Sequence, residues 1–158
     1  MNDVVMSATV NGTRVERAVP PNLLLIDFLR DDLGLTGVKQ SCEVEVCGAC
    51  TVLVDGLPVS SCCFLAADIS ERSVVTIEGL VGTKFHKRIS DSFMEHAAVQ
   101  CGFCTPGMIL TVKALADGGV SPSRPTLRHL LSGNLCRCTG YESILEAVSA
   151  ALDAEAGK

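Results

Sequence analysis

The sequence is short of almost everything that marks a nucleic-acid-binding, membrane or secreted protein. It has no basic surplus: 13 Lys and Arg stand against 18 Asp and Glu, for a formal charge of −5. The pI is near 5.1. That balance offers no basic patch and argues against nucleic acid as a partner. No apolar run approaches the roughly 18 residues of a membrane span, so no transmembrane segment is expected. Met1-Asn2-Asp3-Val4-Val5 has no basic region leading into an apolar stretch. It does not read as a secretory signal, and a cytoplasmic location is expected. Also missing are a GxGxxG dinucleotide loop, a nucleophile–base set, an internal repeat and a low-complexity tract.

Cysteine is what the chain has in excess, nine in 158 residues. Disulfides do not account for them. Nine is an odd number, no secretion is indicated, and a C-x-C pair cannot bridge without heavy strain. Eight of the nine fall into two sets of four. Cys42, Cys47 and Cys50, spaced C-x4-C-x2-C, are followed by Cys62. Cys101 and Cys104, spaced C-x2-C, are followed by Cys136 and Cys138, spaced C-x-C. Four thiolates are what one 2Fe-2S cluster requires, and the first spacing is that of plant-type ferredoxins. Two such centres make a chain that moves electrons. Structural zinc also takes four cysteines. The first set does not resemble paired zinc knuckles, but the second is weaker evidence taken alone. Cluster sulfurs gain from backbone N–H groups pointing at them, which tight loops of small residues provide. Cys47-Gly48-Ala49-Cys50 and Gly102 fit that need, and a helix opening at Thr105-Pro106 favours an anionic centre beside it.

The patterning divides the chain near its middle. Val4–Val10 and Thr13–Val19 alternate as strands around Asn11-Gly12, a type I′ hairpin signal. Asn22 is placed to cap a helix with apolar positions Leu24, Leu25, Phe28, Leu29 and Leu33, ended by Gly34. A long loop from Gly37 to Cys50 precedes a second hairpin, Thr51–Val54 and Leu57–Ser60, turning at Asp55-Gly56. Val74–Ile77 reads as a last short strand. Residues 1–78 form one expected domain and 79–83 a linker. Residues 84–158 read as four helices. Ile89, Phe93, Ala97 and Ala98 mark the first. Thr105-Pro106 caps the second, closed by Gly118-Gly119; Thr126–Leu131 forms the third. Tyr141, Ile144, Leu145, Val148 and Leu152 line the last, with fraying expected over Ala154–Lys158. Each half is too small for a large core, so a bound metal would supply part of the folding energy. A mean hydropathy of +0.36 leaves surplus apolar surface, assigned here to contact with other subunits.

Three longer motifs carry a resemblance. Cys42-x4-Cys47-Gly48-Ala49-Cys50-Thr51-Val52 with Cys62 closely resembles the N-terminal cluster motif of the xanthine oxidase family of molybdenum hydroxylases. The stretch from Gln100 to Met108 is similar to that family's second motif, and that from Gly133 to Tyr141 to its third. The likeness spans nearly the whole chain, and its length matches the family's separate small iron–sulfur subunit. It implies an α+β architecture, a plant-ferredoxin-like β-grasp domain followed by a four-helix bundle. It implies that Cys42, Cys47, Cys50 and Cys62 hold a 2Fe-2S cluster nearer FAD. Cys101, Cys104, Cys136 and Cys138 would hold a buried one next to molybdopterin, with Gln100 and Cys138 at the pterin. The implied partners are a large molybdopterin-binding subunit and a medium FAD-binding subunit, in a heterotrimer or a dimer of heterotrimers. Electrons would run from molybdenum through the bundle cluster and the ferredoxin-like cluster to FAD. Related complexes act on aldehydes, purines, N-heteroaromatic rings, carbon monoxide or aromatic CoA thioesters, a choice made in the large subunit.

Two departures stand out. Many family members carry glycine where this chain has Glu43-Val44-Glu45-Val46, and a β-branched residue tolerates positive φ poorly. Cys63 is an extra cysteine beside the expected ligand Cys62, read as a small buried apolar residue. His86, His96 and His129 are scattered and are read as surface or packing residues. Arg137, between two ligands, reads as a charge partner for the cluster or a neighbouring subunit. The alternative function is a free two-cluster ferredoxin-type carrier, which would normally show a charged docking face. The purified protein is expected to hold about four irons and four sulfides per chain, with two distinguishable EPR signals on reduction. Zinc at either site, or a single signal, would refute this.

Overall fold

A computed structural model describes residues 2–119 and 122–156. Five strands form one mixed sheet. The strands are β1 (Val4–Val10), β2 (Thr13–Val19), β3 (Thr51–Val54), β4 (Leu57–Ser60) and β5 (Ser73–Val75), in spatial order β2-β1-β5-β3-β4. Only the β1–β5 pairing is parallel. Both hairpins turn where expected. Asn11 and Gly12 have φ of 49° and 80°, and Asp55 and Gly56 have 50° and 80°. These are the left-handed pairs that match the twist of the strands they join.

The helix after β2 starts later than its sequence suggests. Asn22 does not cap it. Helix α1 begins at Leu25 and covers Leu25–Asp27, then continues as a wider π-helical turn over Phe28–Asp32. Tertiary pairing holds the preceding residues out of the helix. Leu24 bridges to Leu65, and the Leu25 N–H donates to the Phe64 carbonyl at 2.7 Å. Gly34, at φ 70°, then turns the chain away as expected.

The expected strand Val74–Ile77 also ends early. The Asn11 amide closes a reciprocal pair with Thr76, 2.9 Å each way, and the Thr76 hydroxyl donates to Glu78 at 2.6 Å. Residues Ile77–Leu80 then form a helical turn, α2, across the start of the expected linker. Helix α3 (Lys84–Glu95) is capped by the Thr83 hydroxyl, which accepts from the His86 N–H. Helices α4 (Thr105–Asp117), α5 (Arg124–Leu130) and α6 (Glu142–Ala156) follow. The second half thus has five helical segments, four of them beyond a single turn. Thr105 is not the cap of α4: Cys104 takes that place and Thr105 is the first helical residue. Residues 157–158, the end of the stretch expected to fray, lie outside the described residues.

Two apolar cores result. One gathers Met6, Phe28, Leu29, Val52, Val54 and Val74; the other gathers Ile89, Phe93, Met108, Leu110, Leu127 and Leu145. Strand β3 is buried on both faces. Its alternation puts Val52 and Val54 in the first core and Leu53 in the second. Among the described residues, no helix is long and apolar enough to cross a membrane.

Helix α4 approaches the cysteine loop so closely that a Cβ on Gly107 would lie 2.3 Å from the Gly48 carbonyl oxygen. Gly107→Ala should therefore destabilise the protein by about 1–3 kcal/mol. That cost exceeds the gain of up to ~1 kcal/mol that alanine brings to a helix interior. Gly133→Ala, whose Cβ meets nothing within 4 Å, is the control. Thermal unfolding of both variants checks this, and an unchanged midpoint for Gly107→Ala would show that the contact gives way freely.

Candidate metal centres

The first centre is built by the loop before β3 and the single turn of 3-10 helix after β4. Cys50 and Cys62 are buried, while Cys42 and Cys47 are half-buried. The loop meets the φ problem in an unexpected way. Left-handed φ falls on Glu43 (59°) and Glu45 (58°), so Val44 and Val46 escape it. This alternation turns successive N–H groups inward, as in an anion-binding nest. The N–H groups of Val46 and Cys47 each lie 3.3 Å from Cys42 Sγ. Hydrogen bonds from the main chain at Val44, Cys47 and Val46 bring the Cys42 thiol down to about 6. Burial, with the Cys62 sulfur alongside, pushes Cys50 up to about 12. The loop is thus wired for a thiolate at its rim, while burial favours the protonated form of Cys50 until a cation is bound beside it.

Cys63 is not the small buried residue the sequence suggested. It is exposed, with its sulfur 3.8 Å from Cys62 Sγ and 3.9 Å from the Glu43 carbonyl. Their shared turn of 3-10 helix, Ser61–Cys63, sends Cys62 inward and Cys63 outward.

The second centre sits where the N-terminus of α4 meets the loop before α6. Cys101, Cys104, Cys136 and Cys138 line one cavity of about 250 Å³, together with Cys47, Phe103, Leu135 and Arg137. Cys101 and Cys138 sulfurs are 3.6 Å apart, and those of Cys104 and Cys136 interact directly. A spacing of 3.6 Å is close to the edge, about 3.8 Å, of a tetrahedron with metal–sulfur bonds of about 2.3 Å. Burial pushes Cys104 up to about 12. Burial also acts upward on Cys136, but the Thr139 hydroxyl and the main chain at Thr139 and Cys138 outweigh it and lower that thiol. No group of three or more His, Cys, Asp or Glu among the described residues is arranged around a single ion.

The other expected residues fall as follows. The Gln100 side-chain amide donates to the Cys138 carbonyl at 3.1 Å, so these two are brought together at the surface. The Arg137 side chain lines the cysteine cavity. His129 is exposed, and the His96 ring lies 2.9 Å from the Ser92 carbonyl.

Sequence reasoning missed Asn134. It is 97% buried, and its amide donates to the Gly48 carbonyl (3.0 Å) and to Thr51 Oγ1 (3.3 Å), while its own oxygen accepts from Thr111 (2.8 Å). The Leu135 N–H next to it donates to the Cys47 carbonyl at 2.8 Å. An asparagine two residues before the Cys136-x-Cys138 pair was the available signal.

Comparison with known proteins identifies the family. Residues 8–73 match the 2Fe-2S iron-sulfur cluster binding domain family, and residues 76–149 match the 2Fe-2S binding domain family. The chain is 44% identical to the nicotinate dehydrogenase small FeS subunit of Eubacterium barkeri, over 97% of this chain and 98% of that one. It is 41% identical to the xanthine dehydrogenase iron-sulfur-binding subunit of Escherichia coli O157:H7, over 98% of this chain and 96% of the other. A chain of quinoline 2-oxidoreductase from Pseudomonas putida 86 superposes with a TM-score of 0.88 at 45% identity, covering 98% of this chain and 97% of that one. Two 2Fe-2S cluster-binding domains in series, one ferredoxin-like and one helical, define an electron-transfer chain. It belongs to the small iron–sulfur subunits of the xanthine oxidase family of molybdenum hydroxylases and dehydrogenases.

The different settings of Cys62 and Cys63 give a direct check. Cys62→Ser is expected to impair the EPR signal of the N-terminal centre, and Cys63→Ser to leave both signals intact. Equal damage from the two changes would overturn the assignment of Cys62.

Proposed function

We propose that this chain relays electrons between a molybdopterin site on a large partner subunit and FAD on a medium one, with Cys42, Cys47, Cys50 and Cys62 holding one 2Fe-2S cluster and Cys101, Cys104, Cys136 and Cys138 the other. Each cluster, when bound, takes up and gives back one electron. The observation that carries this reading is the junction of the two sulfur sets. Cys47 belongs to the first set yet lines the cavity of the second. Its carbonyl accepts the Leu135 N–H at 2.8 Å, and Leu135 adjoins Cys136. Ligand residues of the two centres are thus one hydrogen bond and a few covalent bonds apart.

Gln100 and the exposed Cys138 mark the side of the helical half that would face the pterin. Phe103 and Leu135, exposed at 44% and 48%, supply apolar surface beside them. Val44 and Val46, exposed at 65% and 59%, would meet the flavin subunit at the other end. These apolar patches beside both centres suit permanent partners in a heterotrimer, or a pair of heterotrimers, better than the charged face of a free carrier. We assign residues 1–78 to the ferredoxin-like domain, 79–83 to the linker and 84–158 to a bundle of α3, α4, α5 and α6; the two separate apolar cores support that division. All nine cysteines are free, which suits the reducing cytoplasm.

Variants at the two centres of the assembled complex test the order of transfer. Cys104→Ser should stop the complex's substrate from reducing the flavin. Loss of the N-terminal centre should also block the flavin but leave the bundle centre reducible by substrate. Normal reduction of the N-terminal centre in the Cys104→Ser complex would show that the order is wrong.

A further inference from the structure

Tyr141 has a backbone conformation that nothing in its local sequence requires. Its φ is 72°, directly after Gly140 at 69°. A bulky side chain rarely adopts this region unless the surroundings hold it there. What surrounds it is the Cys136 loop. The Tyr141 hydroxyl accepts the Cys136 N–H at 2.8 Å and donates to the Asn134 carbonyl at 3.3 Å. Its own main-chain N–H donates to Thr139 Oγ1 at 3.3 Å. That hydroxyl in turn donates to Cys136 Sγ at 3.2 Å. One residue therefore grips the sulfur-bearing loop twice, once through its ring and once through its backbone. The left-handed turn is what lets both ends reach.

We propose that Tyr141 is a positioning residue for the iron–sulfur centre of the helical half, holding Thr139 so that its hydroxyl donates a hydrogen bond to the Cys136 sulfur and raises the potential of that centre. The physical basis is simple. A reduced cluster carries one more negative charge than the oxidised one, and a donor at a ligand sulfur stabilises the more negative form. The Cys136 N–H is meanwhile committed to the phenol, so the Thr139 hydroxyl is the tunable donor at this sulfur. The same grip reaches the other half, because Asn134, whose main-chain carbonyl accepts the phenol hydrogen bond, also donates its side-chain amide to the Gly48 carbonyl.

The inference rests on Cys136 being an iron ligand, and the experiment separates the two ideas. The readout is an EPR-monitored redox titration of the whole complex. In Cys136→Ala the bundle signal should be lost; if it survives unchanged, the ligand reading itself falls. Thr139→Val should lower the midpoint potential of the bundle signal by about tenfold in its reduction equilibrium, ~59 mV for a one-electron couple. Thr139→Ser, which keeps the hydroxyl, should restore it. Tyr141→Phe should shift the potential in the same direction. The double variant should shift no further than Thr139→Val alone, since the phenol acts on this sulfur only by anchoring the loop and the Tyr141 backbone that hold Thr139 in place. The N-terminal signal should not move in any of them. An unchanged bundle potential in Thr139→Val, with Cys136→Ala lacking the signal, would overturn the proposal. So would additive shifts in the double variant. If Tyr141→Phe does not assemble, the Thr139 pair of variants decides.

Discussion

The carbonyl of Gly48 is the point on which both halves of the molecule depend. It accepts the Thr51 N–H at 3.2 Å, the Thr51 hydroxyl at 2.8 Å and the Asn134 amide at 3.0 Å. Gly107 must lack a side chain to let α4 lie against it. Gly48 itself, at φ 66°, must lack one too, because a Cβ there would lie 2.1 Å from the Gly133 carbonyl oxygen. A buried amide donor left without its acceptor costs about 1–3 kcal/mol. The loop of the first centre and the loop of the second are therefore fixed to each other by a polar contact that tolerates little slack. Strand β3 adds an apolar version of the same constraint, since its two faces belong to different cores.

The parts legible in the sequence were those decided by neighbouring residues. Asn11-Gly12 and Asp55-Gly56 dictate their turns through φ alone, and the cysteine spacings announce themselves. The rest depended on contacts far apart in the chain. Asn22 looks like a helix cap, but the pairing of Leu24 with Leu65 decides where α1 starts. Thr105 precedes a proline and looks like a cap, yet the helix admits it as its first residue. Val44 and Val46 posed a conformational difficulty that the chain resolves by giving the left-handed positions to the glutamates between them. Cys63 was misread as buried because cysteine generally is. Only the outward turn of Ser61–Cys63 reveals its exposure.

The two centres also differ in how the chain prepares its sulfurs. At Cys42 the backbone supplies the stabilisation, through hydrogen bonds from three consecutive or near-consecutive residues. At Cys136 a side chain shares the work: the Thr139 hydroxyl donates to the sulfur, beside the main chain at Thr139 and Cys138. Cys50 and Cys104 receive no comparable help, and burial drives both thiols up to about 12. A cation bound beside such groups would favour their ionised form, which would couple metal loading to folding. The rim sulfur of the first loop is set up as a thiolate, whereas burial favours the protonated form of Cys50 and Cys104.

Cys47 closes part of the wall of the second cavity although it comes from the first domain. A helical half expressed alone would leave its own centre open on that side, and a ferredoxin-like half alone would leave the Cys47 carbonyl without the Leu135 donor. Neither half is a finished module. Exchanging one half for that of a relative would therefore have to carry both sides of this contact along with it.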